Sequence, residues 1–132
     1  MTDRDANLVI EPGEGRPYAM GTMQALFLAD EAETDASYSI SEWWLDPHSA
    51  GPGAHSHETH DDIFYVIEGE MSFLVGDQWR VVGKGGFVRV GRGTTHDFRN
   101  DGDVRAGMLN IYIPGGFERD MAGIVKWFAE NS

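Results

Sequence analysis

The chain is expected to fold as an all-β domain, a sandwich or barrel of short antiparallel strands with an irregular N-terminal arm and one C-terminal α-helix. Three observations predict it. Between Tyr38 and Ile113 short β-branched and aromatic runs recur at close intervals. Those runs are parted by glycine-containing turn signals of the hairpin kind, such as Gly76-Asp77 and Gly83-Lys-Gly-Gly86. After Pro114-Gly-Gly116 the apolar period changes from that of a strand to that of a helix.

Taken in order, the stretch 1–23 holds Pro12, Gly13, Gly15, Pro17 and Gly21 around one apolar patch, Leu8-Val-Ile10, which predicts an arm with an edge strand at that patch. Gln24 to Ala29 is expected to be a strand. The acidic run Asp30-Glu-Ala-Glu-Thr-Asp35 is read as a solvated loop rather than a cation site. From Tyr38 the alternation is strict: Tyr38, Ile40, Glu42 and Trp44 fall on one face, Ser39, Ser41, Trp43 and Leu45 on the other. Pro47 and Pro52 then break the strand, because neither can donate to a ladder. Strands are expected at Ile63–Ile67, Met71–Val75, Gln78–Val82, Phe87–Val90, His96–Asn100 and Arg105–Ile113. In the last segment Phe117, Met121, Ile124, Val125 and Phe128 share one helical face, which should pack on the sheet.

The 132 residues fit one domain, 1–132, with room for a single site. A formal charge of −12 disfavours nucleic acid and anionic membrane surfaces as partners and leaves a small, weakly charged molecule as the natural ligand. With no cysteine, any metal must be held by nitrogen and oxygen. The N-terminus lacks a basic and apolar leader, and no apolar run is long enough to span a bilayer, so a cytoplasmic protein is expected.

Chemistry-bearing residues concentrate in Gly51 to Gly69. His55 and His57 stand two apart, so in extended chain both imidazoles project from one side. Asp62 opens the following strand and could present a carboxylate to the same centre. His96 opens a later strand behind a Gly93-Thr-Thr turn that could return it to the same pocket. Each histidine taken singly reads as exposed or hydrogen-bonded, and only their concentration points to a shared metal. A lining of Trp43, Trp44, Phe64, Phe73, Phe98 and Tyr112 is expected around the cavity. Glu42 would be a general base if it faced inward and merely solvated if it faced outward. Gly83 to Gly86 lacks the spacing of a phosphate loop, and His57-Glu-Thr-His60 is one residue short of a zincin motif.

The spacing resembles the two motifs of the cupin family. The first, Gly, five residues, His-x-His, three or four residues, Glu, six residues, Gly, is matched by His55, His57, Asp62 and Gly69. The second, Gly, five residues, Pro, one residue, Gly, two residues, His, three residues, Asn, is matched by Gly85, Gly93, His96 and Asn100. The departures are Ser49 for the leading Gly, Gly91 for the Pro and Asp62 for the Glu. This resemblance covers residues 38–113 and implies a double-stranded β-helix, or jelly-roll barrel, with the C-terminal helix over 117–130. It also implies a homodimer and one divalent transition metal ion, iron, manganese, nickel, copper or zinc, held by His55, His57, Asp62 and His96. Because Asp is a methylene shorter than Glu, His60 is kept as the alternative fourth ligand; at the rim it would instead hydrogen-bond Asp61 or solvent. The histidine-rich zinc sites of some cupin polyketide cyclases are similar. The implied activity is that of a metal-dependent enzyme on a small organic molecule, a dioxygenase or an isomerase or cyclase. A non-catalytic binding or sensing domain is the alternative, and a cupin that has lost its metal a third.

Overall fold

Alternating burial along Ser39–Leu45 shows what the period of two achieves: Ser39, Ser41, Trp43 and Leu45 are buried, while Ile40, Glu42 and Trp44 lie on the outer face. In the computed structural model, which describes residues 7–131, this strand, β3, is third in a six-stranded antiparallel sheet. Its neighbours are β1 (Arg16–Met20) and β2 (Met23–Ala29) on one side. On the other lie β9 (Ala106–Ile113), β4 (Asp61–Glu68) and β7 (Phe87–Val90). A second sheet, in the order β6 (Gln78–Gly83), β5 (Glu70–Val75), β8 (His96–Arg99), faces the first. Between them sits a core that includes Phe27, Trp43, Phe64, Phe73, Phe98 and Met108.

Both family motifs have a structural reason at their ends. Gly69, at φ 69°, turns β4 into β5, and a Cβ there would meet the Arg105 carbonyl. Asn100 is buried and staples three strand ends, its amide donating to the carbonyls of Leu45, Asp46 and Val104 while its oxygen accepts from the Gly102 N–H. Ser49 bridges Asn100 in backbone pairing and hydrogen-bonds the Thr22 hydroxyl at 2.6 Å, and the positive φ in this turn falls on His48 instead.

Three expectations are corrected. The edge strand is Arg16–Met20, not Leu8–Ile10: Leu8 and Val9 are exposed, whereas Pro17 is tolerated because β1 pairs on one side only. The acidic run is not a solvated loop. It forms a short helix, α1 (Glu31–Thr34), and Asp30 ahead of it is 1% exposed, both carboxylate oxygens accepting backbone N–H groups at 2.6 Å from Gly116 and Glu118. Arg16 adds bonds to Glu33 and Glu118, and Tyr18 donates to Glu118, so this network anchors the start of the C-terminal segment. Third, Trp44 faces outward, where its indole N–H donates to Glu42 and Arg105 lies over its ring.

The terminal segment begins with a 3-10 turn, Glu118–Asp120, and continues as α2 (Met121–Glu130). Met121 is fully buried, and Phe117, Ile124, Val125 and Phe128 pack on the core. Among the described residues no helix is long and apolar enough to cross a membrane.

Candidate metal centre

Three chain segments, the loop that carries His55 and His57, the strand β4 and the strand β8, are brought together by backbone pairing. The loop after β3 runs alongside β8, with His55 and His96 exchanging N–H···O bonds of 2.9 and 2.8 Å. That bridge places both imidazoles on one face, ring centroids 4.3 Å apart. The approach is permitted by Gly51, where any Cβ would fall on the Phe98 carbonyl. His57 is tied down by the Gly93 N–H, which donates to its carbonyl. Asp62 is delivered by β4, between β7 and β9.

One ligand atom from each of His55, His57, Asp62 and His96 lies within 4.8 Å of the others. Asp62 is 4% and His96 2% exposed while His55 and His57 are half-buried, so the cluster sits at the mouth of an apolar barrel with its carboxylate inside. The pairing of β4 with β7 and β9 carries the shorter carboxylate in among the imidazoles. β4 sits close enough that Asp62 Oδ2 is 3.0 Å from His96 Nε2 and 3.7 Å from His57 Nε2. Asp62 Oδ1 accepts from the Asn110 amide at 2.5 Å, and that amide also donates to the Ile63 carbonyl. His60 is not part of the cluster. Its ring stacks on Tyr112 at 4.3 Å and 11°, and its Nδ1 meets the Thr59 hydroxyl.

Every imidazole of the cluster is oriented through Nδ1. His55 Nδ1 donates to the Gly53 carbonyl at 2.6 Å and His96 Nδ1 to the Thr94 carbonyl at 2.9 Å; a carbonyl only accepts, so both protons sit on Nδ1. His57 Nδ1 lies 3.3 Å from the Tyr112 hydroxyl. With Nδ1 engaged, Nε2 is the nitrogen that each ring turns to the centre; His96 Nε2 there meets Asp62 Oδ2, and a metal would take the place of that proton. Burial, the largest influence on His57, pushes its pKa below the ordinary value and favours the neutral ring. At His96 burial pushes the same way, but the bonds to Asp62 and Thr94 outweigh it and hold the pKa above the ordinary value. Burial and then the Asp62 charge push Tyr112 up to about 12, so it remains a phenol.

The donor set fits a metal on one further observation. Among the described residues, the one buried side-chain polar atom without a hydrogen-bond partner is His57 Nε2. The 3.7 Å to Asp62 is too long for a hydrogen bond, and an unpaired buried nitrogen costs about 1–3 kcal/mol unless something occupies its lone pair. Neutral imidazoles with a carboxylate, and no thiolate, suit iron, manganese, nickel, copper or zinc.

Above the cluster lies a cavity of about 310 Å³ lined by Pro52, His55, His57, Phe117, Asp120, Ile124, Trp127 and Phe128. A smaller recess of about 40 Å³ reaches Asp62 and Asn110 past Trp43, Phe64 and Phe98. Of the expected lining, Trp43, Phe64 and Phe98 therefore contribute, Tyr112 touches His57, Phe73 is core and Trp44 is outside. Glu42 is also outside, which removes it as an internal base. Sequence reasoning missed Asn110, a lone polar residue in an apolar strand and in that respect visible, and it missed the cavity wall made by Asp120 and Trp127.

Residues 42–112, more than half of the chain, match the family model described as a Cupin domain. The chain is 30% identical over 115 residues to quercetin 2,3-dioxygenase of Bacillus subtilis (strain 168), covering 83% of this chain and 32% of that protein, about a third of its length. Among solved structures, KdgF from Halomonas sp. superposes with a TM-score of 0.75 at 16% identity, over 86% of this chain and 99% of that one. The polyketide cyclase RemF from Streptomyces resistomycificus superposes with 0.70 at 19% identity, over 82% and 80%. These likenesses to solved structures show the shared fold. With both motifs in register on a jelly-roll barrel and the family model matched across most of its strands, the chain belongs to the cupin family.

Proposed function

We propose that this chain is a metal-dependent enzyme of the dioxygenase type that acts on a small organic molecule, with His55, His57, Asp62 and His96 holding one divalent transition metal ion. The observation that carries the reading is the orphaned His57 Nε2, which faces a carboxylate and two further imidazoles at the floor of an apolar cavity. The dioxygenase type is supported by the likeness to quercetin 2,3-dioxygenase. When bound, a redox-active ion supplies dioxygen activation beside a chelating enol or phenol, and zinc would supply Lewis-acid polarisation of a carbonyl.

The protein's own part is to orient and to exclude water. Gly53, Thr94 and Tyr112 hold the three rings through Nδ1, and Asn110 holds Asp62. Phe117, Ile124 and Phe128 cover the cluster, lowering the local dielectric so that charge developing at the floor is felt strongly. Exposed Leu8, Val9 and Tyr38 on the N-terminal side support assembly as a homodimer, which we place in the cytoplasm.

Metal analysis of protein purified without chelator, followed by oxygen uptake with phenols, diketones and flavonols, tests the reading. Oxygen consumed in step with substrate by iron-, manganese-, nickel- or copper-loaded protein supports it. Turnover with zinc and no oxygen uptake would assign an isomerase or cyclase instead. Binding without turnover would make the chain a sensing domain, and a chain that takes up no metal would overturn the proposal.

A further inference from the structure

The two sheets treat their outer faces differently. Where an antiparallel sheet covers a core on one side, its outward positions ordinarily carry polar groups, and on the second sheet Ser72, Asp97 and Arg99 supply them, Arg99 lying over the Trp79 ring. The six-stranded sheet does not follow that rule. Across β3, β9, β4 and β7 its outward positions form two rows in register, Ile40–Ile111–Ile63–Arg89 and Glu42–Leu109–Tyr65–Phe87. Tyr65 is 45% and Phe87 63% exposed. Beside them Trp44 lies low on Gly107, where any Cβ would strike its indole.

The described helices pack at the other end of the sheet, α2 against β1 and α1 against β2. At that end the N-terminal arm also covers the outer face: Leu26, next to Glu42 in the second row, is 9% exposed, and a Cβ at Gly15 would touch its side chain. What stays open is therefore β3, β9, β4 and β7, a set of four whose centre falls between β9 and β4. At a strand spacing of about 4.8 Å and a rise of about 3.4 Å per residue, this face measures roughly 20 by 24 Å. With side-chain relief counted, that footprint matches the roughly 800 Å² per copy that a stable dimer buries.

Charge and symmetry favour a second copy of this chain as the occupant. Each copy carries −12, so two copies repel wherever their acidic surfaces meet. The two rows hold one carboxylate, Glu42, and one guanidinium, Arg89, and so carry no net charge. A two-fold axis along the strands, midway between β9 and β4, exchanges β9 with β4 and β3 with β7. It lays Ile111 on Ile63 and Leu109 on Tyr65 of the other copy, and Arg89 on Ile40, one row from Glu42. We infer that the outer face of β3, β9, β4 and β7 is the contact surface of a symmetric dimer, closed by Arg89 of each copy on Glu42 of the other. This rests on the homodimer reading above and gives that dimer its surface.

Sedimentation equilibrium of the full chain over a wide range of concentration tests it, with circular dichroism to confirm that each variant is folded. Phe87→Lys and Arg89→Glu change exposed side chains, and each should raise the dimer dissociation constant about tenfold or more. Glu42→Arg should weaken the dimer similarly, and Glu42→Arg combined with Arg89→Glu should recover most of the lost affinity, because the pair is restored with its signs exchanged. Val81→Lys, 65% exposed on the edge strand of the second sheet, should change nothing. A dimer unaffected by Phe87→Lys and Arg89→Glu, or a double variant no tighter than either single one, would overturn the face and leave the homodimer standing. Dissociation by Leu8→Ser with Val9→Ser, but not by Phe87→Lys, would move the contact to the arm and overturn the face as well. An unaltered protein that is monomeric throughout would overturn both readings.

Discussion

The floor and the wall of the cavity are built on opposite plans. At the floor, His55, His57, Asp62 and His96 come from three chain segments locked by backbone pairing, and each Nδ1 or spare carboxylate oxygen is tied to a fixed partner. The wall is one helix whose polar anchors lie at its start, where Asp30 and the Arg16–Glu118 bonds grip Gly116 and Glu118, and whose remaining contacts are apolar, Trp127 lying open to solvent. Rigid polar positioning suits atoms that must converge on a point, and an apolar surface suits contact with a shape. The contrast teaches that this cavity joins a polar floor fixed by sheet pairing to an apolar flank supplied by one terminal segment.

The comparison breaks most visibly at the floor. His96→Ala should abolish metal uptake and activity together, as elemental analysis and oxygen uptake would show; retained stoichiometric metal would remove His96 from the ligand set. Asn110→Ala leaves every proposed ligand in place but frees Asp62, and a fall in metal affinity of about 10–100-fold is expected in a competitive chelator titration. Ile124→Ala trims the wall and its core packing and removes no proposed ligand. It should raise KM several-fold, on the order of 1 kcal/mol of lost apolar contact, with metal content unchanged.

The smallest effect concerns the anchor of the wall. Burial raises the Glu118 pKa, but the hydrogen bonds from Arg16 and Tyr18 outweigh it and the folded-state value lies below the ordinary one. A depressed carboxyl contributes stability above its unfolded pKa, about 4.3, and loses it as pH falls through the folded value. Because Arg16 is 44% exposed, the contribution is at most about 1 kcal/mol. Denaturant titrations from pH 6 to pH 3 should therefore show a loss of stability that Glu118→Gln lacks; identical curves for both proteins would remove Glu118 from the anchor.

The legible parts of the structure were those with short-range signatures. Alternation marked β3 to β9 to within a residue or two, and the motif spacing singled out the four residues that the barrel brings within 4.8 Å. Asp30 was hidden because nothing in an acidic run reveals that its first member will meet two amides more than 80 residues away. Trp44 was misplaced because an aromatic in strict alternation says which residues share its face but not which face is inside. Trp127 escaped because it lies beside the helix's main apolar stripe, on a second stripe that exists only once the helix has a cavity on its flank.

By itself, then, the sequence determined which residue types could meet and in what local geometry: the two-residue step of His55 and His57, the strand that carries Asp62, and the turn ahead of His96. Tertiary structure alone decided that Asp62 joins the cluster and that His60 stacks on Tyr112 outside it. The two stand only two residues apart, and the period of a strand puts them on a common side wherever the chain is extended through both. Their fates diverge because β4 begins at Asp61, so that Asp62 is registered between Val90 and Tyr112 while His60 still belongs to the loop. Register across a sheet is a non-local quantity, set by partners that arrive from elsewhere in the chain, and no reading of neighbouring residues contains it.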